Sequence, residues 1–294
     1  MIKNIKNTAQ KSILTKRQEK AFSRLFSQSF LKDKTRGKYY DWGLGRNFGG
    51  VLLKNCGSTQ QEALSLLEEG AVPLLPFAVV SKGQTQGKGR GERTFLSPYN
   101  KGIYFTAVFD AEKFSDASLL GALCVLSIIK TVEEFTPLTP QIKWPNDLLI
   151  EGEKLCGILP QNKTVAANGG KIKNYLLLGA GINVNTSKKE LSPLKNKAAS
   201  LYIKGGKKIN IKAFTAALIN NFFEFAQGFE SNLKGNIERY ISLCCSTGKR
   251  VRYELGEEIK EGIITKINND LSITVLKPDN TTSKIFWGEV IDNA

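Results

Sequence analysis

Apolar positions along the chain fall into two textures. From about Phe48 short β-branched runs alternate with stretches of helical period, whereas after Gly248 only short alternating runs remain. In the first texture, Thr59-Gln60-Gln61-Glu62 has the spacing of a capping box and predicts a helix to Glu69, stopped by Gly70. Phe77–Lys82 and Gly102–Phe109 read as strands, and Asp116 to about Phe135 as a long helix buried on most faces. Ile142–Trp144, Leu148–Ile150 and Leu155–Pro160 read as further strands, the last two joined by the turn Glu151-Gly152-Glu153. Tyr175–Asn185 is another strand, and Asn210 caps a helix to about Phe229. In the second texture, Lys249–Leu255, Lys260–Ile267, Leu271–Leu276 and Ser283–Val290 predict a small β-barrel with turns at Gly256 and Asn268-Asn269-Asp270. A unit of about 45 residues has too little core to stand alone, so it is expected to dock on the larger domain.

The predicted class is therefore α/β (α+β). It comprises a basic, flexible N-terminal extension over 1–45, a main domain over 46–246 and a C-terminal barrel over 247–294. With 294 residues and 41% apolar content, the chain has enough material for a real core. The formal net charge is +15, and it is uneven: residues 1–50 hold 12 Lys and Arg against 3 Asp and Glu. That leading segment has no pair of amphipathic helices and does not resemble a helix-turn-helix, which disfavours a DNA-binding domain. Its Lys/Arg/Ser-rich character fits a solvated basic tail better than an organellar transit peptide, so the expected compartment is the cytoplasm, with an organelle as the alternative. The longest apolar stretches, such as Ala71–Val80, are broken by proline or are too short to span a bilayer. Five cysteines without a C-x-x-C pair argue for a reducing compartment and no structural zinc. Histidine is absent, which removes Ser-His-Asp and Cys-His nucleophiles and H-E-x-x-H metal sites together.

Three strings stand out as candidate chemistry. Gln84-Thr85-Gln86-Gly87-Lys88-Gly89-Arg90-Gly91-Glu92-Arg93 has alternate glycines that allow close backbone approach, and three cations suited to a carboxylate or phosphate. It is neither a Walker A loop nor a Rossmann turn, and by itself it could be merely solvated. Lys143-Trp144-Pro145-Asn146-Asp147 leads through a hairpin to Lys154-Leu155-Cys156-Gly157-Ile158-Leu159; taken alone, Trp144 reads as a core aromatic beside a turn. Gly179-Ala180-Gly181-Ile182-Asn183-Val184-Asn185 is a strand ending in two amides.

In this order the strings resemble the biotin protein ligases over about residues 50–290. Gly57-Ser58-Thr59-Gln60, Leu96-Ser97-Pro98, Ala199-Ser200-Leu201 and Trp287-Gly288-Glu289 add to the likeness. The resemblance implies a mixed-sheet catalytic domain akin to class II aminoacyl-tRNA synthetases, followed by an SH3-like barrel. It also implies biotin contacts from Ser58, Thr59, Gln60, Gln84, Lys88, Gly89, Arg90, Lys154 and Gly157. ATP contacts are implied for Arg90, Arg93, Phe95, Lys143, Asn146, Lys154 and Asn183, with Lys154, Arg90 and Asp147 as the catalytic set. Lys88 stands where many bacterial members have arginine, Phe95 where many have tryptophan, and Gly91-Glu92-Arg93 departs from the commoner Arg-Gly-Arg order. The implied reactants are biotin, ATP and Mg²⁺, with no metal ligands assigned. The implied partner is the biotin carrier domain of a carboxylase, and a homodimer is left open.

Such chemistry needs no histidine. A carboxylic acid of pKa about 4–5 is already ionised at neutral pH, so the first step is an electrostatic problem solved by cations. For the second step, in which a carrier lysine must lose a proton, the candidate acceptors are Asp147 and the adenylate phosphate; Asp147 could instead place the metal. Two rival readings are a lipoate or octanoate ligase of the same superfamily and a nucleic-acid-binding protein suggested by the charge. The first lacks the Lys-Trp-Pro-Asn-Asp block, and the second lacks a basic face interleaved with aromatics.

Overall fold

In this computed structural model, residues 38–40, 49–71, 75–114, 116–166, 172–194, 197–228, 230–255 and 258–291 are described. An eight-stranded mixed sheet is ordered β1-β2-β3-β4-β8-β7-β6-β5. Its strands are β1 (Lys38–Tyr40), β2 (Gly49–Leu53), β3 (Phe77–Ser81), β4 (Gly102–Asp110), β5 (Gln141–Lys143), β6 (Asp147–Ile150), β7 (Glu153–Ala166) and β8 (Ile172–Asn183). Only β2 and β3 run parallel; every other neighbouring pair is antiparallel. β1 lies within the extension expected over 1–45, so the sheet starts earlier than the texture change at Phe48 suggests.

Alternation along β4 and β8 divides two cores across this sheet. On one face Ile103, Phe105, Ala180 and Ile182 pack with helices α2 (Ala117–Phe135) and α5 (Ile211–Gly228). On the other, Val51, Val79, Val108 and Leu177 pack with Ala63, Leu66 and Leu67 of helix α1 (Thr59–Glu68). Asp116 and Asn210 cap α2 and α5 as expected, each accepting two backbone N–H bonds. The capping box is a different matter: Ser58, not Thr59, holds the N-cap position, and its side chain makes no cap bond. Thr59 is drawn away because its N–H and hydroxyl both bond Gln84.

β7 continues beyond Pro160 to Ala166. It can do so because β6 pairs only with its first residues, through Gly157, leaving Pro160 on an open edge where its missing N–H costs no ladder bond. Three further helices were not foreseen: α3 (Lys188–Leu191), α4 (Leu201–Gly205) and α6 (Leu233–Leu243). α6 is anchored by the buried Tyr240, whose hydroxyl donates to Pro145 O at 2.6 Å.

The C-terminal unit is a five-stranded antiparallel sheet of β9 (Arg250–Leu255), β10 (Glu258–Ile267), β11 (Ile273–Leu276), β12 (Thr282–Ile285) and β13 (Glu289–Ile291). Its order is β12-β11-β10-β9-β13. The strand expected over Ser283–Val290 is divided at Phe286-Trp287-Gly288, where the chain leaves β11 and crosses to β9. The expected turn at Gly256 lies outside the described residues. This unit docks as its size demands: Trp144 is 2% exposed, its indole N–H donates to Leu271 O at 2.8 Å, and its backbone N–H donates to Ser246 Oγ at 2.8 Å. Trp144 is thus the core aromatic beside a turn, and the core it completes is the seam between the two units. Among the described residues, no helix is long and apolar enough to cross a membrane.

Candidate active site

One lateral row across the sheet assembles the site. Lys143 pairs with Asp147, Asp147 with Gly157, Gly157 with Gly181, Gly181 with Tyr104 and Tyr104 with Ser81. Cross-strand partners share a face, so these residues line the side of the sheet that carries α1. Two positions along the same strands, Leu159, Gly179 and Thr106 form a second row. The glycines make the middle of both rows low. A methyl on Gly181 would lie 2.5 Å from the Phe95 ring, and one on Gly179 would lie 2.8 Å from Gln60 Nε2. Phe95 and Gln60 therefore approach the backbone at places that no larger residue could vacate.

At the Asp147 end, Lys154 Nζ bonds Asp147 Oδ2 at 2.6 Å, and Lys154 lies over Gly157, where an added Cβ would come within 3.1 Å of its Cε and Nζ. The pair is half-buried rather than sealed, with 39% and 29% of the side chains exposed. It can therefore meet a ligand and still feel less screening than a surface pair. Lys154 is held by its backbone too, since its N–H donates to Lys197 O at 3.1 Å and its carbonyl accepts from Ala199 N at 2.9 Å.

At the other end the start of α1 is wired to the basic loop. Gln84 Oε1 accepts from Thr59 N at 2.8 Å and from Thr59 Oγ1 at 3.1 Å, and Gln84 Nε2 donates to Ser97 Oγ at 2.9 Å. Thr106 Oγ1 donates to Thr59 Oγ1 at 2.9 Å. Ser58 is 2% exposed with no cap bond, and beside it a cleft of about 430 Å³ opens between Gln61, Glu62 and Gln86 over Leu53. A helix start whose capping hydroxyl is not spent on its own backbone is a natural cradle for a polar ring.

The basic loop itself is a small hairpin: Gly89 N donates to Arg93 O at 2.7 Å and Phe95 N to Gly87 O at 2.8 Å. Its cations divide. Lys88 is exposed, bridged through its backbone to Thr94. Arg90 donates to Gly288 O at 2.9 Å and Arg93 pairs with Glu289 at 2.6 Å, so both lean on the C-terminal unit rather than over the row. Phe95 lies edge-on to Tyr104, with ring centroids 6.4 Å apart.

Some candidates face inward. Gln60 Nε2 donates to Leu159 O at 2.8 Å, and Asn146 Nδ2 donates to Ile158 O, so each amide ties one N–H to β7. Each keeps its carbonyl oxygen and its second N–H. Asn183 ends β8 opposite Gly102 and is 4% exposed, while Lys143 sits half-buried at the edge of the row. Tyr104, Thr106 and Ser97 were missed, although Tyr104 and Thr106 alternate with Ile103 and Phe105 along β4 and so mark a polar line on one face. Burial drives the Tyr104 hydroxyl pKa well above the tyrosine range, with Glu190 adding to the shift, so it stays neutral and donates to Pro98 O. Burial likewise raises the Cys56 and Cys156 thiols, so neither is a ready thiolate nucleophile.

Residues 58–183 match the model of the biotin/lipoate A/B protein ligase family. Within it the likeness is to biotin protein ligases. The bifunctional ligase/repressor BirA of Bacillus subtilis is 31% identical over 155 residues, 52% of this chain and 46% of that protein. The biotin–[acetyl-CoA-carboxylase] ligase of Mycobacterium tuberculosis is 30% identical over 48% of this chain and 52% of its own length. The chain thus spans about half the length of these curated relatives. The biotin protein ligase of Aquifex aeolicus, solved in complex with biotin and ATP, superposes with a TM-score of 0.66 at 26% identity, covering 83% of this chain and 97% of that one. The Leishmania major enzyme shares the fold at 21% identity, with a TM-score of 0.53 over 82% of this chain and 99% of its own.

Proposed function

We propose that this protein is an ATP-dependent biotin protein ligase, and that the observation carrying this reading is the convergence of Lys154–Asp147 and the Ser58–Thr59–Gln84 cluster on one glycine-lowered row. Biotin would place its polar ring at the start of α1 and direct its carboxylate toward Lys154, passing over Phe95 and Gln60, which fill the glycine positions of the row. In the first step a carboxylate oxygen attacks the α-phosphorus of ATP; an O–P bond forms, the bond to pyrophosphate breaks, and biotinyl-5′-AMP results. Both reactants are anionic, so the chain's task is to supply preorganised positive charge, from Lys154 and from Arg90 once it turns from Gly288 to the nucleotide. Magnesium would enter with ATP: among the described residues no group of three or more Cys, Asp or Glu could cage a metal, which suits an ion that keeps most of its shell on phosphate and water. Asp147 is the residue that would hold it, and the ion's contribution would be to neutralise phosphate charge.

In the second step a lysine amine of a biotin carrier domain attacks the acyl carbon; the amide bond forms and AMP leaves. Asp147 is a poor base for that amine, because protonating it would break the 2.6 Å pair with Lys154. The phosphate of the departing AMP therefore takes the proton. The test is incubation with ATP, biotin and a panel of carrier domains, scored by streptavidin blot. Labelling of one carrier lysine supports the reading, and a panel that stays unlabelled with biotin but gains lipoyl groups by mass spectrometry when lipoate replaces biotin would overturn it.

A further inference from the structure

The turn that presents Lys154 carries a residue that suits the turn poorly. Glu151 and Gly152 both adopt left-handed conformations, with φ of 51° and 76°. That pattern favours Asn-Gly, and a glutamate there is strained. What the glutamate gains is an ion pair: Lys204 Nζ bonds Glu151 at 2.9 Å and Glu153 at 3.1 Å. Lys204 is the well-shielded member, with 13% of its side chain exposed. Glu153 immediately precedes Lys154 on β7.

The same helix reaches the lysine by a second route. Lys204 belongs to α4, whose N-cap Ser200 accepts from Ile203 N and donates to Thr186 O at 2.6 Å. Residues 197–199, which lead into α4, form the backbone bridge to Lys154. α4 and the segment leading into it therefore hold the β6–β7 hairpin at two points, Lys204 at the tip and residues 197–199 at Lys154 itself.

We propose that Lys204 is a positioning residue: by clamping the Glu151–Glu153 turn onto α4, it holds Lys154 at the height from which its ammonium reaches Asp147 and the nucleotide. This inference rests on the ligase reading of Lys154. A displacement near 1 Å is enough to cost about 10²-fold in rate at a reacting centre. The clamp lies away from Ser58, Thr59 and Gln84, so the contacts proposed for the polar ring of biotin are left in place.

The experiment is biotin-dependent ATP–pyrophosphate exchange on the full chain and three variants, with melting temperature measured alongside. Lys204→Met is expected to lower kcat by about 10- to 100-fold with KM for biotin within about twofold. Lys204→Arg, which can still bridge two carboxylates, is expected to recover most of the loss. Glu151→Asn relaxes the turn and removes one carboxylate, so its melting temperature should hold or rise while kcat falls. Wild-type kcat in Lys204→Met overturns the clamp, as does a parallel fall of kcat and melting temperature that Lys204→Arg does not reverse. No biotin-dependent exchange in the unaltered protein overturns the ligase reading and the clamp with it. Exchange there that Lys204→Met leaves intact overturns the clamp alone.

Discussion

Lys154 owes its position to what surrounds it: a carboxylate 2.6 Å away, a glycine beneath, and backbone bonds to residues 197 and 199. Lys154→Ala is expected to reduce biotin-dependent pyrophosphate exchange by at least about 10²-fold, the scale of losing one preorganised charge contact. Circular dichroism should be unchanged, because the side chain is half exposed. Gly181 tests the floor. Gly181→Ala puts a methyl 2.5 Å from Phe95 and is expected to cost about 1–3 kcal/mol in urea unfolding. Adding Phe95→Leu should return part of that, a coupling readable in a double-mutant cycle. Lys154, Asp147, Gly157, Gln84 and Phe95 were legible because they sit in short distinctive strings. Tyr104, Thr106 and the low centre of the trough were not, because they become one row only through cross-strand register, which pairs residues as far apart as Tyr104 and Gly181. Thr59 shows the converse: its local spacing promised a cap, and Gln84, 25 residues away, claimed its hydroxyl instead.

The long elements follow their periodicity because burial reinforces it: α2 and β4 are buried along most of their length and start within a residue of expectation. The short helices were hidden by content that propensity disfavours, such as Gly235 and Asn236 within α6, which tertiary anchors like Tyr240 override. In the C-terminal unit the Asn268–Asp270 turn was foreseen, and its chemistry yields a pH expectation. Lys284, with help from Ser272, holds the Asp270 carboxyl down at about 2. A depressed carboxyl stabilises the fold above its ordinary pKa of about 3.9, and that contribution is lost as pH falls from there through about 2. Comparing Asp270→Asn with the unaltered protein by denaturant melts should show a difference at pH 6 that shrinks toward pH 2. With 43% of the side chain exposed, solvent screening holds it below about 1 kcal/mol.

At the scale of the molecule, the C-terminal unit is more than an appendage. Trp144 of the chemistry-bearing Lys-Trp-Pro-Asn-Asp string is buried against it, and the loop cations Arg90 and Arg93 reach it across 198 and 196 residues of sequence. Docking was expected from size alone, but which surface docks was not legible, since contacts of that separation leave no local pattern. Both motif-bearing segments thus share a wall, so the candidate row, the basic loop and the C-terminal sheet form one assembly. The central claim is that this assembly activates biotin as an adenylate, and the direct measurement is exchange of labelled pyrophosphate into ATP by the unaltered protein. The account predicts exchange that appears with biotin and not with lipoate. Exchange supported by lipoate instead, or none with either acid, would contradict it.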